Sequence, residues 1–327
     1  MSDVTGGEPI AFRGRTTRLI VFLGLILISF FSVQPSLFPN LRDINPWDEA
    51  NAIHRGKLLA EGHFPVYAGN PAVSALYAAA YAVCHRSSHW LIETCTLSRW
   101  GLFLMIWAAL ILLALKGEER GWAPAWSMAA LFAVSPILKA LLDNASDALY
   151  AVGAALALWQ LIAFGESRKT RHLWGASLFL SGAALTRQDG FLLFLAGGLW
   201  LFWEVRHEPA SRGISGLRRL AAYGLPFALV LGGFLATQKM VTGTLFGGFQ
   251  ERSYCAFEQG EGAAFPELYP GGDCLNDGVP RARALYGTFE ENRGSIGRAI
   301  RRHPRAFLRR AAHAVAGLPR RALEVYS

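Results

Sequence analysis

Two adjacent carboxylates, Asp48 and Glu49, follow the first apolar segment of the chain and open a helical pattern. A carboxylate can act as a general base or help to bind a divalent cation. The same residue types also stabilise the start of a helix by about 1 kcal/mol through capping and the helix dipole. The pair by itself therefore allows two interpretations, a helix cap and a reactive site.

A second acidic cluster extends from Asp143 to Asp147, and Lys139 precedes it by one helical turn. Ionisable residues this close to long apolar segments are candidates for function. The structural alternative is an ion pair between Lys139 and Asp143, whose spacing puts them on one helix face.

A third polar cluster occupies residues 186–190, with the sequence Thr-Arg-Gln-Asp-Gly between two apolar segments. It is either a polar turn in which Arg187 pairs with Asp189, or part of a binding site. The three clusters fall on one face in the topology predicted below, and carboxylates that converge with a basic group suggest a site for a phosphorylated substrate carried on a lipid.

Arginine is concentrated near the end of the chain, where it alternates with apolar residues between Ile296 and Leu308. We expect Pro304 to divide this stretch into two short, basic, amphipathic helices. The arginines that could bind phosphate through their planar fork of donors are Arg298, Arg301, Arg302 and Arg305. Nonspecific attraction to anionic lipid is the alternative for any one of them.

The elements that must position these residues are long and apolar. The 327-residue chain is 52% hydrophobic and 17% charged. A helix needs about 20 apolar residues to cross about 30 Å of hydrocarbon, and lipid cannot satisfy open backbone groups. We therefore predict an all-α polytopic membrane protein with about seven transmembrane helices. The candidate spans are Leu19–Leu37, Trp100–Leu115, Trp122–Leu142, Ala148–Phe164, Leu173–Leu185, Phe191–Trp203 and Leu220–Ala236.

The topology follows from the distribution of basic residues, because cytoplasmic loops are enriched in Lys and Arg. Arg13, Arg15 and Arg18 precede the first span and put the N-terminus in the cytoplasm. Pro71–Val83 is too short to cross and is predicted to lie at the interface.

The predicted organisation has three parts. A disordered cytoplasmic tail covers residues 1–17. A transmembrane domain covers residues 18–238 and includes an outer loop, residues 38–98. An extracytoplasmic loop with basic amphipathic helices covers residues 239–327, so the first and last outer loops both carry interfacial helices.

The cysteines all fall on the predicted outer side, where the environment permits disulfides. The simplest pairing is Cys84–Cys95 with Cys255–Cys274, although four cysteines allow three connectivities. Alternatively, Cys84 is merely a small apolar residue.

Several classes of chemistry have no support in the sequence. The chain has no Walker loop, no dinucleotide-binding glycine motif after a strand, no HExxH and no GxSxG. Nucleotide-driven, zinc-protease and serine-hydrolase activities are therefore not indicated. Nucleic acid is not an expected partner, because the basic residues are membrane-adjacent and belong to no recognisable nucleic-acid module.

The order of these elements resembles the GT-C superfamily of lipid-dependent glycosyltransferases, in particular the protein-mannosyltransferase and aminoarabinose-transferase group. The resemblance covers roughly residues 18–320. It rests on Asp48-Glu49 opening an outer helix, an interfacial helix led by Pro71, the acidic cluster of Asp143 and Asp147, the turn at Arg187 and a later basic helix. The family usually has two prolines where this chain has Pro71 alone.

The resemblance implies a GT-C-like fold and inverting transfer of a sugar from a polyprenyl-phosphate donor to a sugar, lipid or protein acceptor. The reaction would take place at the extracytoplasmic face of a membrane, as in the bacterial inner membrane. Members usually continue into further spans, so we expect the chain to be a fragment followed by more spans, a short subclass or a partner-dependent subunit.

The resemblance also implies roles for individual residues. Asp48 would be the general base or would orient the acceptor, and Glu49 would support it. A divalent cation, Mg²⁺ or Mn²⁺, would be held by Asp48, Glu49 and Asp147. Asp143 or Asp147 would form the second acidic position. The donor phosphate would be bound by Lys139, Arg187 and the set Arg298, Arg301, Arg302 and Arg305.

Two other functions fit the same residues. One is a non-catalytic membrane subunit that binds lipid phosphate or a partner enzyme. The other is a transporter of lipid-linked sugars, which the sequence favours less because the ionisable residues cluster at one face rather than near the midplane.

Overall fold

The computed structural model describes residues 15–44, 49–63, 70–119, 124–133, 135–187, 189–207, 214–243, 254–255, 257–261, 279–312 and 316. The regular structure of these residues is helical, and they contain no strand. The prediction of an all-α fold is confirmed for this part of the chain. Asp48, Cys274 and most of the N-terminal tail lie outside the described residues.

The chain divides into two compact units, residues 1–235 and 236–327. Its helices, in chain order, are α1 (Arg15–Leu37), α2 (Glu49–Ala60), α3 (Pro71–Cys84), α4 (Trp90–Glu119), α5 (Pro124–Ala133), α6 (Pro136–Asp143), α7 (Ala145–Ser167), α8 (Thr170–Thr186), α9 (Asp189–His207), α10 (Ile214–Thr242), α11 (Val279–Tyr286) and α12 (Ile296–Arg302).

Among the described residues, four helices are long and apolar enough to cross a membrane: α1, α4, α7 and α10. Each contains one of the segments predicted from hydropathy. These four helices give the chain the character of a helical membrane protein. The predicted segments Leu173–Leu185 and Phe191–Trp203 lie in α8 and α9, which are outside this group. The number seven therefore stays a prediction.

The predicted segment Trp122–Leu142 is not one continuous helix. It contains α5 and α6, and Ser135 caps the start of α6 by accepting a hydrogen bond from the Ile137 amide at 3.1 Å. Pro136 is the first residue of α6, where its missing amide proton costs nothing, but it could not continue α5. The Ser-Pro pair thus ends one helix and starts the next.

The helices α2 and α3 form a tightly packed pair. The outer helix predicted to open at Asp48-Glu49 corresponds to α2, and Gly62 follows it with a φ of 84° that suits glycine. Gly56 lies against α3 so closely that an added Cβ would be 2.6 Å from Cβ of Tyr77. This contact brings the start of α2, with Glu49, beside the face of α3 that carries Tyr77.

The first unit is held together by apolar side chains between its helices. One buried cluster joins α1, α4, α5, α6 and α7, and a second joins α7, α8, α9 and α10. On the faces of α1 and α9 that point away from these clusters, large apolar residues such as Leu23 and Leu199 are exposed. Apolar surface of this extent on long helices is what a lipid-facing surface requires.

The second unit has a small aromatic core of its own. The Tyr254 hydroxyl donates to the Gly287 carbonyl at 2.6 Å, and Asn292 donates to the same hydroxyl at 2.6 Å. Its basic stretch is helical in α12 and again over residues 304–312, with His303 between them. The predicted division at Pro304 is confirmed.

Candidate functional site

The centre of the candidate site is Arg99, a side chain in α4 that is only 1% exposed. Its Nε and Nη2 donate to the two carboxylate oxygens of Glu49 at 3.1 and 2.8 Å. Nη1 donates to Oδ1 of Asp143 at 3.2 Å and to the Ser36 carbonyl at 2.8 Å. One guanidinium therefore connects α1, α2, α4 and α6.

Glu49 is a buried carboxylate with every oxygen occupied. Besides the two bonds from Arg99, Oε1 accepts hydrogen bonds from the Tyr77 hydroxyl and the Cys95 thiol, both at 3.0 Å. Burial, and then the charge of Glu49, raises the pKa of Tyr77, so this phenol stays protonated and remains a donor. These contacts fit a residue that is held in place and positions its neighbours.

The predicted disulfide between Cys84 and Cys95 is wrong, because both are free cysteines. Cys95 lies buried in α4 with its thiol directed to Glu49. Cys255 is free and exposed, and the partner predicted for it, Cys274, lies outside the described residues.

A second ion-pair group joins the start of α7 to the end of α8. Arg187 follows α8 and binds Oδ1 of Asp147 through Nη1. Its Nε and Nη2 also bind Oδ2 of Asp189 at 3.2 and 3.1 Å. The side chains of Arg187 and Asp147 are 41% and 37% exposed, so this group is open to a ligand while Glu49 is not.

The two groups meet where α6 passes into α7. Asp143 is the last residue of α6, and the next residue, Asn144, caps α7 and donates to Oδ2 of Asp147 at 2.8 Å. The structure thus brings together four residues proposed from the sequence: Glu49, Asp143, Asp147 and Arg187. We call this set, with Arg99, the polar network.

Lys139 is not part of this network. It is exposed on α6 and makes no ion pair with any residue in the described part of the chain. The described structure shows no ion pair between Lys139 and Asp143, and Oδ1 of Asp143 accepts a hydrogen bond from Arg99 instead.

The basic residues of the second unit divide into two kinds. Arg302 binds Glu291 at 3.3 Å, and Arg310 binds the buried Glu261 at 2.6 Å. Arg298, Arg301 and Arg305 are exposed, and no carboxylate among the described residues pairs with them. These three can bind a phosphate without breaking an ion pair.

The carboxylates do not form a cation site in the described residues, which contain no group of three acidic, His or Cys side chains arranged for a metal. Glu49 binds Arg99 and Asp147 binds Arg187, so each charge is already balanced. The third proposed ligand, Asp48, lies outside the described residues. The proposed site for Mg²⁺ or Mn²⁺ therefore stays a prediction.

Arg99 is the residue that sequence reasoning missed. The signal was present, because Arg99 directly precedes the predicted span Trp100–Leu115 and an ionisable residue there points to a functional role or a buried partner. Cys95 lies one turn earlier on the same face of α4.

The fold and this network define a helical protein with membrane-spanning character and an arginine-centred site at one end of its helices. Comparison with models of protein families, with characterised proteins and with solved structures found no match. A function for this chain must therefore be proposed from its own residues.

Proposed function

We propose that the chain is a membrane glycosyltransferase that moves a sugar from a polyprenyl-phosphate donor to an acceptor at the extracytoplasmic face. The observation that supports this most is the joining of Glu49, Asp143, Asp147 and Arg187 in one polar network at one end of the helices. Such a network brings acidic and basic groups together. Transfer of a sugar from a phosphate needs both, because a carboxylate can take the proton of the acceptor and a basic side chain can stabilise the phosphate that leaves.

In the proposed reaction, the acceptor hydroxyl oxygen attacks the anomeric carbon while the bond from that carbon to the phosphate oxygen breaks. The phosphate leaves with the bonding electrons, and the general base removes the hydroxyl proton. The configuration at the anomeric carbon inverts. We assign the base to Asp48, whose neighbour Glu49 is fixed on both oxygens by Arg99. Glu49 is then a positioning residue.

The donor phosphate is assigned to basic side chains that can accept a new anion. Arg187 is exposed and binds the partly exposed Asp147 and the exposed Asp189, and Lys139 is exposed without an ion pair in the described structure. No step is assigned to a metal.

Transfer of sugar from a radiolabelled polyprenyl-phosphate donor in membranes tests the proposal. We expect Asp48→Asn to reduce transfer by at least about 100-fold, the lower range for a general base. Glu61→Gln is the matched control, since Glu61 is an exposed carboxylate that bonds Tyr81 outside the network. Transfer at the wild-type rate by Asp48→Asn would overturn the role of Asp48.

A second candidate function is a non-catalytic subunit that binds lipid phosphate. It is favoured by the pairing of Glu49 and Asp143 with Arg99, and of Asp147 and Asp189 with Arg187, which leaves none of these carboxylates as a free base. Binding of the donor lipid without any transfer, or transfer only with a co-expressed multispan protein, would identify this function.

A further inference from the structure

The opposite end of α7 carries a cavity that the proposed site does not use. It has a volume of about 470 Å³ and is lined by five basic residues, Arg168, Lys169, Arg171, Arg218 and Arg219. We call it the basic cavity. Asp147 and Ser167, the last residue of α7, lie about 30 Å apart along the helix axis. The two sites cannot share one small ligand.

Two of the arginines are held in place by packing. The guanidinium groups of Arg168 and Arg219 lie over the ring of Phe164, with their central carbons 5.9 and 5.7 Å from its centroid. Phe164 is completely buried, and Arg168 also binds Glu204 at 2.5 Å. Cation–π contacts and an ion pair therefore preorganise this wall of the cavity.

The other three basic residues are available to a ligand. Lys169, Arg171 and Arg218 are exposed and make no ion pair with a described residue. Glu204 balances the charge of Arg168, which is not one of these three. The positive charges of the cavity also affect a neighbouring side chain. Burial, followed by the charges of Arg171 and Lys169, lowers the pKa of His172.

The backbone and hydroxyl groups of the lining also suit an anion. Arg168 ends α7 with a φ of 55°, so the chain turns at once into α8. Thr170 is the first residue of α8, where amide protons and the helix dipole favour negative charge. Ser215 of α10 adds a second hydroxyl.

We propose that the basic cavity binds a phosphate group, carried either by an anionic phospholipid or by a soluble phosphate ester. Arginine forks bind phosphate oxygens in pairs, and lysine adds a point charge. The alternative explanation is the ordinary enrichment of basic residues in cytoplasmic loops. That enrichment alone explains neither the cavity nor the stacking of two arginines on a buried ring. The site is independent of the glycosyltransferase proposal.

The test uses the full chain in neutral detergent. One arm titrates phosphatidylglycerol, with phosphatidylcholine as reference, and counts bound lipid by native mass spectrometry. The other arm titrates inorganic pyrophosphate by calorimetry. We expect the double variant with Arg171→Gln and Arg218→Gln to bind about tenfold or more weakly to whichever of the two ligands the wild-type protein binds. The matched control is Arg206→Gln, an exposed arginine at the end of α9 that does not line the cavity.

The outcomes separate the sources of the phosphate. A loss confined to phosphatidylglycerol identifies a lipid headgroup, and a loss confined to pyrophosphate identifies a soluble phosphate compound. Replacement of both arginines by lysine keeps the charge, so binding should stay within about threefold of wild type. Equal binding by the double glutamine variant and the Arg206 control in both arms overturns the proposal, as does wild-type protein that binds neither ligand.

Discussion

At the scale of single residues, Arg99 determines how the charged groups of the first unit are arranged. Taking a guanidinium out of water costs several kcal/mol, and an arginine in a helix bundle needs partners that repay it. Arg99 obtains them from Glu49, from Asp143 and from the carbonyl of Ser36. The residue is thus both a charge partner and a connection between four helices.

We expect Arg99→Met to lower the free energy of unfolding by about 3–5 kcal/mol, because Glu49 is left as a buried charge without its partner. Denaturant unfolding in detergent measures the effect. The control is Arg86→Met, at an exposed position after α3. Addition of Glu49→Gln to Arg99→Met should recover part of the loss. Equal stabilities for Arg99→Met and the control would contradict the buried pairing.

The cysteines provide a second prediction at this scale. Cys255 is exposed and Cys95 is completely buried, so a water-soluble maleimide should modify Cys255 within minutes and Cys95 only after unfolding. Peptide mass spectrometry distinguishes the two. A peptide linked through Cys84 and Cys95 in the non-reduced protein would show that the free thiols are not the native state.

At the scale of helices, local breaks in the chain shape the site. The Ser135-Pro136 pair splits one predicted segment, and the short helix α6 that results ends at Asp143. Asn144 then starts α7 with Asp147 in its first turn. Because these residues lie at a helix junction, one chain segment contacts both Arg99 and Arg187.

The packing of α2 on α3 is the element-level feature that holds Glu49. We expect Gly56→Ala to destabilise the protein by about 1–3 kcal/mol, since its methyl group would lie 2.6 Å from Cβ of Tyr77 and 2.8 Å from the α3 backbone. Thermal unfolding measures it. Gly182→Ala in α8, where the new methyl group meets nothing within 4 Å, should instead stabilise the helix by up to about 1 kcal/mol. If Gly56→Ala and Gly182→Ala changed the stability in the same direction and by the same amount, the close contact of Gly56 with α3 would be refuted.

At the scale of the whole molecule, α7 joins two polar ends of different character. Its start carries the mixed charges of Asp147 and Arg187, and its end leads into the basic cavity. A helix with this length and composition can span a membrane, so the two ends should face opposite compartments. The basic end is expected in the cytoplasm.

Accessibility of single cysteines tests this arrangement. In a variant without native cysteines, Ser146→Cys should react with an impermeant maleimide added outside intact cells. Ser167→Cys should react only after permeabilisation, since it lies at the other end of α7. Gel-shift labelling reports both. Labelling of both positions from one side would mean that α7 does not cross.

The amino-acid sequence by itself determined the helical class, the approximate bounds of the long apolar helices and the break at Pro304. These features depend on local chemistry: unbroken apolar composition, and a residue that lacks an amide proton. Only the tertiary structure decided that Arg99 binds Glu49 and Asp143, that Cys84 and Cys95 stay apart and that five basic residues surround one cavity. Partners of this kind depend on which faces the helices turn toward one another, and that choice is made by packing across the whole unit rather than by spacing along the chain.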